Sequence, residues 1–283
     1  MIVNERTMTN IKIQFKENKL GVISLSIIII LIVSSVFAFL SPYDGNKIDI
    51  GSRLMPPSIE HIFGTDDMGR DYFTRALYGS RVSLTVGFAS MIVSTIIGTI
   101  TGTISGYLGG TVDNIIMRLI DILMCIPTFF IILILNAYLK PGIQNIIIII
   151  GLFSWMGMAR IVRAETLSLK EREFVLCAKV LGAGSGRIIF KHIIPNVIPS
   201  VIVASTINIA TAILMESSLS FLGLGVRQPN SSWGSMLQNA QGYIGDAANL
   251  AIFPGILILL TVLSFNVLGD ILRNAFDPKV NER

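Results

Sequence analysis

The sequence predicts an all-α polytopic membrane protein that crosses the bilayer six times. Three observations carry this reading. Only 14% of the residues are charged and 52% are apolar, whereas soluble domains hold about 25% charged residues. The charges are gathered between charge-free windows, several of them near the roughly 20 apolar residues that a spanning helix needs. With the first segment inside, fifteen of the 22 Lys and Arg fall on the inner side, the bias expected of cytoplasmic loops.

The segments follow in order. Residues 1–19 form a basic cytoplasmic tail, in which Lys12 to Lys19 can make a short surface helix. No A-x-A-like site follows the first apolar run, so a cleavable signal is not expected. Residues 20–41 are the first transmembrane helix, within a window free of charge from Leu20 to Tyr43. Residues 42–81 are polar and lie outside. In them Pro56-Pro57 fixes an extended stretch, and Asp71 to Ser80 reads as an amphipathic helix at the interface. Asp66, Asp67, Arg70 and Asp71 read either as a metal or catalytic group or as a local ion-pair and turn cluster.

Residues 82–270 make the transmembrane core. Val82 to Val112 is the second charge-free window, with Gly98, Gly102, Gly106 and Gly110 at four-residue spacing. Such a stripe admits close approach of another helix, because lipid offers no hydrophobic drive and packing must hold helices together. Asp113 to Asp121 reads as a short inside connection. Ile122 to Leu139 is the third span, kinked at Pro127, and Lys140-Pro141-Gly142 is an outside turn. Ile143 to Ala159 is the fourth span, His192 to Met215 the fifth and Ala247 to Gly269 the sixth. Between the last two, residues 217–249 read as a loop that dips back or lies on the outer face. Asn208, Glu216 and Asn266 are taken as the polar candidates in or beside these windows. Each is a possible pathway residue, while Glu216 at its boundary also fits a capping role. Residues 271–283 form a cytoplasmic tail, so both termini are inside.

The inner loop from Arg160 to Pro199 holds seven of the Lys and Arg. Glu165 to Leu181 is built of good helix formers, with Phe174, Cys177, Ala178 and Leu181 on one apolar face. Gly182, Gly184 and Gly186 stop that helix. Arg187 to Ile194 can form a second one before Pro195. A pair of short helices at a membrane surface suits docking into a groove. It is equally the form of an ordinary solvated loop.

Enzyme chemistry finds no support. There is no G-x-x-x-x-G-K-[ST] phosphate loop, no H-E-x-x-H and no G-x-S-x-G. The Gly182–Gly186 run lacks a preceding strand and carries Arg187 where a dinucleotide fingerprint has Gly. Cys125 and Cys177, with two distant His, form no metal-ligand pattern. No cofactor, metal or nucleic acid is expected.

Several strings resemble a known family, the permeases of ABC importers. Their EAA loop reads Glu-Ala-Ala, three residues, Gly, nine residues, Ile-x-Leu-Pro. Ala178, Gly182 and Pro195 match it in register. Leu176, Cys177 and His192 depart from it, and Ile194 stands at the Leu position. The string EREFVLCAKVLGA…RIIFKHIIPN resembles the dipeptide, oligopeptide and nickel branch more closely. GTDDMGRDYFTR after the first span, ESSLSFLGLG and WGSML resemble the family as well. The resemblance covers roughly residues 15 to 278.

It implies the MetI-like type I importer architecture in a prokaryotic cell membrane, with no ATP hydrolysis on this chain. It implies a second homologous permease, two ABC ATPase subunits, an extracytoplasmic substrate-binding protein and surrounding membrane lipid. Coupling would run through the 164–195 loop, with Glu171, Arg172, Glu173, Phe174, Ala178, Gly182, Ala183, Arg187 and Pro195 as its working residues. The cargo would be di- or oligopeptides, or in the alternative nickel or a metal chelate. A self-contained secondary transporter would instead require mid-membrane ionisable groups and inverted repeats, and neither stands out.

Overall fold

The computed structural model describes residues 13–16, 18–139 and 142–276. Both predicted tails therefore lie largely outside the described residues, as do Glu17 and the Lys140-Pro141 part of the predicted turn; of the surface helix, Ile13 to Lys16 are helical. The described chain is helical, in the order α1 (Lys19–Val36), α2 (Tyr72–Leu108), α3 (Gly110–Met124), α4 (Thr128–Tyr138), α5 (Ile143–Leu169), α6 (Glu173–Val180), α7 (Ser185–Ile188), α8 (Ile194–Phe221), α9 (Trp233–Ala240) and α10 (Asn249–Phe276). Five helical stretches are long and apolar enough to cross a membrane. The α3–α4 pair, bent by 78°, makes a sixth.

Helix α2 is the spine. At 37 residues it is about 55 Å long and outruns a hydrocarbon core of about 30 Å. The predicted interfacial helix from Asp71 to Ser80 is therefore not separate. Asp71 caps α2, its Oδ1 accepting from Thr74 N at 2.7 Å, and no Pro lies between Tyr72 and Val82 to break the helix.

The glycine stripe finds its partner within the chain. A Cβ on Gly98 would stand 2.8 Å from the carbonyl of Trp155, on Gly102 2.5 Å from that of Ala159, and on Gly106 2.9 Å from that of Arg163. The partners advance in step with the glycines, so α2 and α5 run parallel in backbone contact. Gly110 does not belong to this stripe. It opens α3 with φ +54°, and nothing would meet its Cβ within 4 Å. A left-handed backbone there turns the chain sharply out of α2.

Parallel neighbours force the chain to return between them, and α3 and α4 make that return. The predicted connection at Asp113 to Asp121 is the middle of α3. The predicted third span is not one kinked helix: it breaks between Met124 and Thr128. Pro127 lacks a backbone N–H and disfavours helical backbone in the residue before it. Helix α4 alone spans only about 16 Å.

Helix α8 runs antiparallel to α2, with Thr95 paired to Ser205 at 2.9 Å and Gly87 against Ile213. Helix α10 runs parallel to α2: Tyr72 Oη donates to Leu250 O at 2.6 Å, and Phe88 meets Phe265 edge to face. Helix α1 lies against α2 and α10, with Gly21 beside Ile271 at one end and Ser35 O accepting from Arg81 at the other. The first and last described helices thus share an end of the bundle with the 164–195 segment.

A Leu at Gly102 would have to displace backbone rather than a flexible side-chain tip. Overpacking of this kind costs about 1–3 kcal/mol. Gly102→Leu should lower the unfolding temperature of the detergent-solubilised protein, whereas Gly110→Leu, in open space but left-handed backbone, should cost less. Equal stability of wild type and Gly102→Leu would refute the packing register.

Candidate functional site

At one end of the bundle the chain builds an elbow. Helix α5 continues through the predicted end of the fourth span to Leu169, so Glu165 to Leu169 belong to it and not to a loop helix. After Lys170 to Arg172 the chain restarts as α6. Gly182 ends α6 with φ +78°. Ala183 N donates to Ala178 O and Gly182 N to Lys179 O, both at 3.0 Å, the paired bonds of a Schellman close. Helix α7 and a π-helical stretch over Ile189–Ile193 then feed into α8. Pro195, half-buried at the second residue of α8, gives up an N–H that the first turn does not need.

Which side of α6 faces inward differs from the pattern reading. Val175 and Ala178 are the buried residues, packed with Ile188, Ile193, Val197 and Tyr107. Phe174 and Leu181 are 42% and 85% exposed, and Cys177 is exposed too. The core offers one narrow slot, and the pair Val175 and Ala178 fills it. Exposed apolar side chains result: Phe174, Leu176, Val180, Leu181 and Phe190. Glu171, Arg172, Glu173, Gly182 and Arg187 are exposed beside them, and Ala183 is half-buried. Lys179 Nζ sits 5.4 Å over the Tyr107 ring and ties α6 to the foot of α2.

The root of the elbow is held by charge. Arg163 grips Asp113 with two bonds, Nε to Oδ1 at 2.5 Å and Nη2 to Oδ2 at 2.6 Å. Ser105 also donates to Asp113 at 2.5 Å. Arg160 meets Asp121 at 2.5 Å, and Ser200 donates to Glu165 at 2.9 Å. The two-bond fork fixes orientation as well as contact, so α3, α5 and α2 are locked together where the elbow leaves the bundle.

At the opposite end, residues 42–71 close over the bundle. Asp66 is the centre: its Oδ1 accepts from Met68 N and Arg70 N, and its Oδ2 lies 2.7 Å from Arg70 Nε and 3.5 Å from Arg75 Nε. Asp71 both caps α2 and meets His61 Nδ1 at 2.8 Å. The acids are thus spoken for by ion pairs and turn amides, the second of the two predicted readings.

The segment after α8 does fold back. Helix α8 runs on to Phe221, and α9 then inserts as a short helix with Trp233 and Met236 fully enclosed. Its N-terminus rests on Glu216, which is itself 0% exposed. Ser83 Oγ donates to Glu216 Oε2 at 3.0 Å and Ser220 Oγ to Oε1 at 2.6 Å. Trp233 N donates in turn to Ser83 Oγ, and Ser232 Oγ and Val226 N to Ser220 Oγ. Irregular backbone at membrane depth needs such internal partners.

The family model described as "Binding-protein-dependent transport system inner membrane component" matches residues 95–282. The chain belongs to that family. A second model, the N-terminal TM domain of oligopeptide transport permease C, matches residues 10–57. A dipeptide transport system permease of Alkalihalophilus pseudofirmus is 43% identical over 268 residues, covering 94% of this chain and 88% of the relative. An oligopeptide transport system permease of Bacillus subtilis is 41% identical, covering 95% and 89%. A glutathione transport system permease of Salmonella typhimurium is 42% identical, covering 94% and 89%. The inward-facing MetNI methionine ABC transporter shares the fold, with TM-score 0.60 and 20% identity over 72% of this chain and 98% of that one.

The binding-protein-dependent permease is thus a MetI-like bundle that carries no ATPase of its own. Its three predicted polar pathway residues do not form one site. Glu216 lines no surface, because α2, α8 and α9 enclose it. Asn208 lies eight residues away on α8, about 12 Å along the axis, half-buried with its Nδ2 buried and unpartnered. Asn266 is half-buried on α10. The polar groups that face open space at the 42–71 end, Arg227, Asn230 and Gln238 among them, have no periodic signal in the sequence.

Replacing Glu216 by Ala would strand buried serine hydroxyls, each costing about 1–3 kcal/mol. Glu216→Ala should unfold at markedly lower temperature than wild type in detergent. Glu216→Gln, which keeps an acceptor and fills the same volume, should lose less than half as much. Similar losses for the two variants would sink the hub role.

Proposed function

We propose that this chain is a peptide-importer permease whose 164–195 end faces the cytoplasm and docks an ABC ATPase through the α6–α7 elbow. One observation carries the docking: a charged segment exposes Phe174, Leu176, Val180, Leu181 and Phe190 while Val175 and Ala178 clamp it to the bundle. Burying an exposed aliphatic side chain contributes about 1.5–3 kcal/mol, so this face favours a partner groove over water. The clamp supplies what coupling requires. An elbow tied through Val175, Ala178 and the Lys179–Tyr107 contact transmits a push to α2 and α5 instead of flexing.

Peptide cargo rests on the relatives named for dipeptide, oligopeptide and glutathione transport. A second permease would complete the pathway, two ATPase subunits would power it, and a binding protein would deliver cargo at the 42–71 end. Lipid would surround the exposed faces of α1 and α8. The chain's own part is passive: it forms half of the pathway and changes shape when the elbow is moved.

Two measurements test this. In whole cells a membrane-impermeant maleimide should label Ile59→Cys, whose parent side chain is fully exposed at the 42–71 end, and should reach Leu181→Cys only after permeabilisation; the free Cys125 and Cys177 are first replaced by Ser. The reverse pattern would invert the proposed orientation. In reconstituted vesicles, Val180→Asp with Leu181→Asp should cut ATP-driven peptide uptake at least about tenfold by loss of ATPase docking. These side chains are exposed, so the protein should remain folded. Full uptake by that variant would rule out the elbow as the docking face.

A further inference from the structure

The segment between α8 and α9 frames a cavity of about 270 Å³ at the 42–71 end. Its floor is rigid. Gly225 lies so close to Ser220 that a Cβ would meet Ser220 Oγ at 2.0 Å. Val226 N donates to that hydroxyl at 3.1 Å, and Ser220 in turn donates to the buried Glu216. Ser232 and Ser235 close a reciprocal capping box at the start of α9. Its rim differs from the floor. Arg227, Asn230 and Gln238 are exposed and Asn239 is half-buried. Among the described residues these four side chains take part in no hydrogen bond or ion pair. Gln228 also lines the cavity, and only its Oε1 is engaged, by Arg70 Nη1 at 3.4 Å. No carboxylate lines it.

Four carboxamides and one guanidinium around a small cup have a definite chemical complement. Each carboxamide offers donors and an acceptor, and each peptide group offers one of each. Side-chain amides therefore satisfy a peptide main chain whatever its side chains are. The guanidinium matches a carboxylate, with two parallel donors. It also makes the cup unfavourable for a bare metal cation. The volume lies just below the roughly 300–1,000 Å³ of small-ligand sites, which suits one end of a peptide and not a long one.

We infer that this cavity receives the main chain and carboxylate terminus of a peptide as it passes from the binding protein into the permease. The inference rests on the peptide-importer reading. It adds a recognition site on the permease itself, tuned to the peptide backbone.

The test uses the complete importer, with its binding protein, in proteoliposomes supplied with radiolabelled tri-alanine. A photoreactive benzophenone amino acid at position 238 should, on irradiation, carry label onto this chain, and excess unlabelled tri-alanine should suppress it. Asn230→Ala with Gln238→Ala removes about two hydrogen bonds and should lower kcat/KM for uptake about tenfold. Arg227→Gln should lower uptake of tri-alanine while leaving that of its carboxamide unaffected, a selectivity that a misfolded chain would not show. Crosslinking only to the binding protein would make the cup a protein-docking surface and overturn the inference. So would normal uptake by the double variant with no label at position 238. Wild-type vesicles that import no peptide would overturn the peptide reading and this inference together.

Discussion

The contact on which the structure depends is the backbone-to-backbone seam between α2 and α5. Lipid gives helices no hydrophobic reason to associate, so association must come from close packing and hydrogen bonds. Gly98, Gly102 and Gly106 remove every side chain from one line along α2, and the carbonyls of Trp155, Ala159 and Arg163 occupy that line. Cα–H···O contacts add to the dispersion gained at such short range. Because the partners advance together, the seam also fixes direction: α2 and α5 are parallel, and the chain between them must cross back. The broken α3–α4 pair is that return. The elbow then hangs from the far end of the same seam, with Tyr107 and Arg163 next to its last glycine.

Polar groups inside the bundle follow from the seam's demand for fixed geometry. A buried charge is costly unless paired and hydrogen-bonded, and the buried and half-buried charges described above are placed at junctions between elements. Asp66 with Arg70 and Arg75 joins the 42–71 segment to α2. Asp113 with Arg163 joins α3 to α5. Glu216 with its serines joins α2, α8 and α9. Each junction is a place where helix packing alone leaves direction underdetermined, and a hydrogen-bonded charge adds the missing angular constraint.

Much of the architecture was legible in the sequence, because hydrophobic length is a strong signal in a bilayer. The glycine spacing announced a close helix contact, and the Gly182 stop was readable from the freedom of glycine at a helix end. What failed failed for identifiable reasons. The helix from Asp71 to Ser80 was read as separate because charge was taken to end a helix, whereas Arg75 is buried against Gly45 O and Asp66 and α2 runs on through it. The apolar face of α6 was right at Ala178 and wrong at Phe174, Cys177 and Leu181, because a period of 3.6 cannot say which of two overlapping apolar stripes the core takes, and Val175 with Ala178 is the one buried. Glu216 read as a boundary residue because Ser83 and Ser232, which enclose it, are 133 and 16 positions away. The cavity rim was invisible, since its polar residues are split between the segment before α9 (Arg227, Gln228 and Asn230) and α9 itself (Gln238 and Asn239) and share no period.

The two ends of the bundle are built on one plan with opposite chemistry. In each, a short helix is clamped by buried side chains, Val175 and Ala178 at one end and Trp233 and Met236 at the other. In each, side chains beside the clamp are left exposed. At the elbow they include an apolar set, and such a face on a charged segment gains most from burial in a partner's groove. At the cavity they are amides and a guanidinium, which are satisfied by water when free and gain only about 0.5–1.5 kcal/mol per hydrogen bond on binding, because binding exchanges one hydrogen bond for another. That is the balance a transport pathway needs. A site that held its cargo through buried apolar contact would slow release, whereas one that replaces water's hydrogen bonds almost one for one can receive a chain and let it go. The polarity of what each end leaves exposed thus fits the proposed lasting attachment on one side and the proposed passing one on the other.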